Sequence, residues 1–185
     1  MATRPTIFSL FIVFCIFLSG ALPAKPALAD GLEPLITALA KGGFSDRAKA
    51  IAALAATGDA RVVPALEALG DGDLYAKKAD GKVVIAKRTG SVYRLTDPLT
   101  LKEIGDVSKG TIKKVKVNNR LRRAVRDALG GLQLRSKNPA DRLAAADAVF
   151  KSKDPDAIPL LDAAIAAEED AAVKTAMLEA RAVAV

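Results

Sequence analysis

From Asp30 onward the apolar residues fall mostly at helical spacing. In DGLEPLITALAKGG, Leu32, Leu35, Ile36 and Leu39 occupy i, i+3, i+4 and i+7, with Asp30 placed to cap and Gly42-Gly43 to end the helix. In FSDRAKAIAALAATG, Ser45 stands at the cap position, Phe44, Ala48, Ile51, Ala52 and Ala55 form one stripe, and Gly58 stops it. Asp59 then caps DARVVPALEALG, which turns Val63, Leu66 and Leu69 inward and carries Pro64 just past its first turn.

The grammar returns further along. Asn138 caps and Pro139 opens NPADRLAAADAVFKS, with Leu143, Ala146 and Phe150 inward. Asp154 and Pro155 open a helix with Ile158, Leu161 and Ile165 inward. Asp170 caps a last helix with Val173, Ala176, Met177 and Ala180 on one face. The two halves repeat at a separation of 95 residues: Asp46-Arg47 matches Asp141-Arg142, Asp59 matches Asp154, Pro64 matches Pro159, and Leu66 matches Leu161. A helix, a turn with a capping Asp, and a second helix with an early proline resemble helical-hairpin repeats of the HEAT type.

The middle has a different rhythm. In LYAKKADGKVVIAKRTGSVYRLTDPLT, aromatic and β-branched residues come in short runs, with turns at Asp80-Gly81 and Gly90-Ser91. Two or three short antiparallel strands are predicted there, and the following segment to Val117 reads as weakly strand-like or irregular. The expected fold is mainly α: HEAT-like antiparallel helical hairpins in 30–73 and 118–185, interrupted by a small β-hairpin or β-meander insert in 74–117. The last helix is expected to lack a hairpin partner.

Residues 1–29 read as a secretory signal peptide. Arg4 supplies the positive start, Ile7–Leu22 the apolar run, and Ala27 and Ala29 the small residues ahead of a cut before Asp30. An uncleaved anchor helix is the alternative, and the run is short for that role. Cys15, the one cysteine, lies in this segment, so the exported chain has no thiol or disulfide. These features place the protein in the periplasm or on the outer face of the inner membrane.

Charge narrows the partners. The whole chain carries +7, and removal of Arg4 and Lys25 with the signal leaves +5. Leu74–Arg126 alone holds 15 basic and 4 acidic residues, so a basic middle lies between acidic flanks. Outside the cytoplasm this favours an acidic protein surface or an anionic membrane surface over nucleic acid.

No catalytic or metal constellation emerges. The chain has no histidine, hence no Ser–His pair and none of the commonest metal ligand. Glu168-Glu169-Asp170 and Asp154/Asp156 suit helix N-termini better than metal ligation. Gly70-Asp71-Gly72-Asp73 lacks the lysine and hydroxyl of a phosphate loop and reads as a turn. Tyr75 and Tyr93 read as the small core of the sheet. No cofactor is implied.

The candidate binding residues are Lys77, Lys78 and Arg94 on the insert, with Lys87 and Arg88 extending a basic strand edge, and Asn119, Arg120, Arg122 and Arg123 after it. In VNNRLRRAVRDAL, Asn118 takes the cap position. Leu121, Val125, Ala128, Leu129 and Leu132 make an apolar stripe, and Arg120, Arg122, Arg123 and Arg126 the other side. A nucleic-acid reading helix adds a second helix at a fixed angle, and a membrane-surface helix carries larger apolar residues. The wheel favours a hairpin helix with an arginine-rich exterior.

Several stretches together resemble one family: Asp71-Gly72 with Leu74-Tyr75, Ala79–Val84, Leu95–Thr100, Val117–Ala124, Arg142–Ala146 and Pro159–Leu161. Their order and spacing across 30–185 resemble the exported N-terminal extension of the urea-type branched-chain amino-acid ABC transporter permease. The VNNRLRR stretch is the most specific element. The resemblance implies a HEAT-like, non-catalytic module that works beside a urea transporter, with the solute-binding protein or the permease as partner. In that family a membrane-spanning core follows the extension. No run after Asp30 approaches spanning length, so transport itself is not expected of this polypeptide. The competing expectation is a stand-alone exported domain that binds a small anion or anionic surface through the insert and the Arg-rich helix.

Overall fold

The computed structural model describes residues 31–185. The expected signal segment, its expected cleavage residues Ala27, Ala29 and Asp30, and the expected Asp30 cap lie outside the described residues. Among the described residues, seven α-helices frame a five-stranded antiparallel sheet. Helices α1 (Leu32–Ala38), α2 (Phe44–Ala56) and α3 (Val63–Asp71) come first. The strands follow: β1 (Leu74–Lys77), β2 (Val83–Thr89), β3 (Val92–Thr96), β4 (Glu103–Ser108) and β5 (Ile112–Lys114). Helices α4 (Asn119–Gln133), α5 (Pro139–Ser152), α6 (Ile158–Ala167) and α7 (Ala171–Ala184) complete the chain.

The helices obey a duplication that extends the 95-residue separation seen in the sequence. Gly43 and Asn138 are the N-caps of α2 and α5. Asp59 and Asp154 each cap a single 3₁₀ turn, Ala60–Val62 and Pro155–Ala157, by accepting from the backbone N–H two residues on. Pro64 and Pro159 then take the opening positions of α3 and α6, where a missing N–H costs least. The buried Leu39 and Leu134 close the preceding helices in both halves.

The separation changes after α3. Asn118 and Asp170 cap α4 and α7 with their side chains, and the buried residues correspond at a new spacing: Leu121 with Val173, Val125 with Met177, Ala128 with Ala180, Leu132 with Ala184. So α2-α3-α4 and α5-α6-α7 are one three-helix unit used twice. In the second copy three residues, Glu168 to Asp170, turn α6 into α7. In the first copy that turn holds the whole sheet.

The sheet runs β4-β3-β2-β1-β5. Its outer strands would lie ~19 Å apart if it were flat. Yet β4 and β5 are joined only by a 3₁₀ turn, Lys109–Thr111, a length of chain that reaches roughly 14 Å even when extended. The sheet must therefore roll until its edges approach. The face rolled inward holds Val84, Ala86, Leu95 and Ile112, with Tyr75, Tyr93 and Val107 at its margins. The opposite face presents Leu74 and Val83 to the helices, where they join α1–α4 in one core with Ile51, Leu54, Leu66, Leu69 and Leu121. Burying each such leucine contributes roughly 1.5–3 kcal/mol relative to exposure. A second core, around Leu134, Ala146, Leu161 and Met177, holds α5–α7.

Four local expectations are corrected. The insert has five strands, because Glu103–Lys114, whose apolar residues do not alternate cleanly, is held by pairing of β4 to β3 and β5 to β1. Ser45 lies inside α2; the chain turns at Gly42, and Asp46 reaches back to accept the Gly43 N–H at 2.9 Å. Phe44 is exposed, with the Arg47 guanidinium 5.7 Å from its ring centre, and Ala52 is exposed as well. Leu143 and Phe150 are exposed too, since α5 is rotated to bring Arg142 against Glu168, and Ala145, Ala146 and Val149 face the core instead.

Candidate interaction surface

The sheet carries the first group of predicted binding residues but does not gather them. Lys77 and Arg94 lie on β1 and β3, which are interior strands; the edges are β4 and β5. The basic strand edge expected from Lys77, Lys78, Lys87, Arg88 and Arg94 therefore does not form. Register shows why. Arg94 stands opposite Lys87, while Lys77 stands opposite Ile112 on the other face, beside the β1–β2 turn. Both charges are also engaged: Lys77 Nζ with Asp80 at 3.1 Å, and Arg94 Nε with Glu103 and Asp106 at 3.2 Å each. Lys78 is exposed, and its backbone N–H donates to Thr111 O across the sheet.

The second group lies together on the first turns of α4. Asn118 fixes the start of that helix by accepting the Leu121 N–H at 2.9 Å. Asn119 accepts weakly from Arg122 at 3.4 Å, and Arg122 Nε reaches the Gly70 carbonyl at the end of α3, also at 3.4 Å. Arg120, Arg123 and Arg126 are exposed. Asp127 follows them. Partial burial, with Asp156 and Asp154 nearby, pushes its carboxyl up, and Arg126 and Arg123 pull it back.

The pattern of the sequence left out the neighbours that make this group continuous. Lys113, Lys114 and Lys116 are exposed directly upstream, and Lys114 Nζ sits 5.9 Å from the centre of the Tyr75 ring. The signal was present in KKVKV: Val115 and Val117 alternate with lysines and both pack on the first core. Tyr75 and Tyr93 behave as the core pair of the rolled sheet, with ring centres 5.6 Å apart, and burial raises the Tyr75 phenol, with Tyr93 adding to it.

Two clefts flank these elements. The larger, about 1030 Å³, lies between the two helical units and is lined by Thr57, Asp59, Leu132, Lys137, Asp141 and Ala144 among others. Its acids are already committed. Arg61 holds the Asp59 carboxyl below its usual range, chiefly by hydrogen bonding, and Asp141 accepts from Ser136 Oγ at 2.8 Å and Asn138 Nδ2 at 3.1 Å. Asp59, stabilised in its charged form, is thereby a weak general base. A smaller cleft of about 370 Å³ separates α1 from the β1–β2 and β3–β4 turns. Among the described residues, no group of three or more acids is placed to hold a metal ion, and no helix is long and apolar enough to cross a membrane.

Comparison with protein-family models, with curated proteins and with solved structures finds no match to the chain.

Proposed function

We propose that this chain is a HEAT-like helical-repeat module of a urea-type ABC importer, working outside the cytoplasm by protein contact rather than by catalysis. The observation that carries the reading is the placement of the rolled sheet. A turn of three residues between α6 and α7 is replaced, between α3 and α4, by a folded insert on an otherwise duplicated scaffold. Stacked helical hairpins can change one connecting loop without disturbing their packing, and such insertions commonly carry the binding role. The motif resemblance centred on Val117–Arg123 supplies the transporter context.

The test is co-purification. The full chain, affinity-tagged and produced with the permease and solute-binding components of a urea-type importer, is expected to retain at least one of them through washing. Recovery of neither by a chain that is folded by circular dichroism would overturn the reading.

A further inference from the structure

Between Lys113 and Arg126 the chain carries seven Lys and Arg residues and no acid. The backbone passes through β5, a short link and the first two turns of α4, and its apolar residues all point one way. Val115, Val117, Leu121 and Val125 pack on the same core. The cations between them are thereby turned to the solvent side of that core, and all seven are exposed. This is one continuous ribbon of positive charge across two elements.

The ribbon differs from the other basic positions in the density of its cations, with no acid between them. Elsewhere among the described residues some cations, such as Lys49 and Lys102, are also unpaired, but Arg61, Lys77, Lys82, Arg94, Arg142, Lys151 and Arg181 each sit in an ion pair. Among the described residues, none of the ribbon's seven does. Acids border it: Asp127 ends it with Asp154 and Asp156 nearby, and Asp71 and Asp73 flank Gly72, beside the Lys114 ammonium. A surface left this charged calls for negative charge from a partner.

We propose that the Lys113–Arg126 ribbon docks on an anionic phospholipid bilayer. Protein interfaces centre on apolar or aromatic anchors and deplete lysine at their core. The ribbon contains no exposed large apolar residue, since the exposed ones are Phe44, Leu101, Ile104, Leu143, Phe150, Leu178 and Val185. It lines none of the clefts described above, so it does not enclose a small anion. Long, mobile cationic side chains on an open surface suit a layer of phosphate headgroups. There each basic residue strengthens binding on the order of fivefold, and salt weakens it.

The test uses the full chain and two vesicle compositions: phosphatidylcholine alone, and phosphatidylcholine mixed with phosphatidylglycerol. The readout is the ratio of the two partition coefficients, which removes any contribution from apolar segments that bind both. The ratio is expected to be well above one at low salt and to fall as salt rises. The variant R120Q/R123Q/R126Q is expected to lower it at least about tenfold. K113Q/K116Q, at the other end of the ribbon, is expected to lower it in the same direction. The charge-matched control K41Q/K49Q/K102Q removes three exposed lysines elsewhere and is expected to change it less than about twofold. Thermal melts confirm that all variants remain folded. A wild-type ratio near one, or equal losses in ribbon and control variants, overturns the proposal. So does binding to soluble polyglutamate without binding to vesicles, which would mark an acidic protein partner instead. No transporter component is present, so the outcome is separable from that of the co-purification.

Discussion

Arg142 on α5 grips both carboxylate oxygens of Glu168 in the α6–α7 turn, Nε to Oε2 at 2.6 Å and NH2 to Oε1 at 2.8 Å. Its third donor reaches the Ser136 carbonyl at 2.8 Å. Glu168 is 8% exposed and, among the described residues, is the one charged residue that is buried. The equivalent of Arg142 in the first unit, Arg47, has no such acid. It bonds the carbonyls of Leu39 and Gly42 and reaches that of Lys116, just after β5. The same arginine position thus ties the second unit to its own turn and the first unit to the far end of the insert.

Removing one member of a buried pair leaves the other charge uncompensated. Arg142→Met is expected to destabilise the protein at neutral pH, seen as a lower midpoint of urea unfolding. The pH dependence follows from Glu168. Hydrogen bonds from Arg142 outweigh burial and hold its carboxyl below the ordinary 4.5. A depressed acid contributes stability that is complete above the unfolded value and is lost as pH falls through the lower folded value. Wild-type stability should therefore drop as pH falls below 4.5, and the Arg142→Met profile should be flatter there. Equal slopes would remove Glu168 from the explanation.

Gly42 and Gly58 both adopt left-handed backbone, at φ +65° and +64°. A methyl group on Gly58 meets nothing within 4 Å, so Gly58→Ala should cost about 1 kcal/mol, from backbone strain alone. A methyl group on Gly42 would collide with the Asp46 carboxylate oxygen that caps α2. Gly42→Ala should therefore cost about 1 kcal/mol more, the worth of the displaced cap. Chemical denaturation of the two variants side by side checks the difference. Equal losses would mean that the Asp46 contact adds nothing.

The helices are legible in the sequence because caps, prolines and leucines repeat with fixed spacing. Asp59 aligns with Asp154, and Pro64 with Pro159, by that spacing alone. The second spacing, Leu121 with Val173 and Val125 with Met177, is hidden because the insert shifts it and because leucine faces valine, and valine methionine. Strands β4 and β5 are obscured for a different reason. Glu103–Ser108 and Ile112–Lys114 owe their conformation to cross-strand hydrogen bonds and to closure of the rolled sheet, which local alternation does not report. Helix rotation is the third gap. On α5, Leu143 and Phe150 look like core by hydropathy, and only the Arg142–Glu168 contact settles which side faces inward.

Duplication also predicts a viable excision. Replacing residues 73–117 with Glu-Glu would join α3 to α4 as α6 joins α7. The product should lose Leu74, Val83 and Val115 from the first core and unfold at lower denaturant, yet remain helical and cooperative. Both tyrosines of the chain lie in the excised segment, so loss of tyrosine absorbance verifies the product. A non-cooperative transition would show that the insert is integral to the first unit.

The excised protein then serves the most direct test of the proposed role. Purified permease and solute-binding components of a urea-type importer are titrated, by a label-free binding assay, against the full chain and against the folded excision variant. Saturable binding of at least one component to the full chain, lost or weakened at least about tenfold on excision, is the predicted result, a difference of about 1.4 kcal/mol or more. Absence of binding by the folded full chain, or equal binding by both proteins, would contradict the claim that the insert on this duplicated scaffold is a protein-contact site of the transporter.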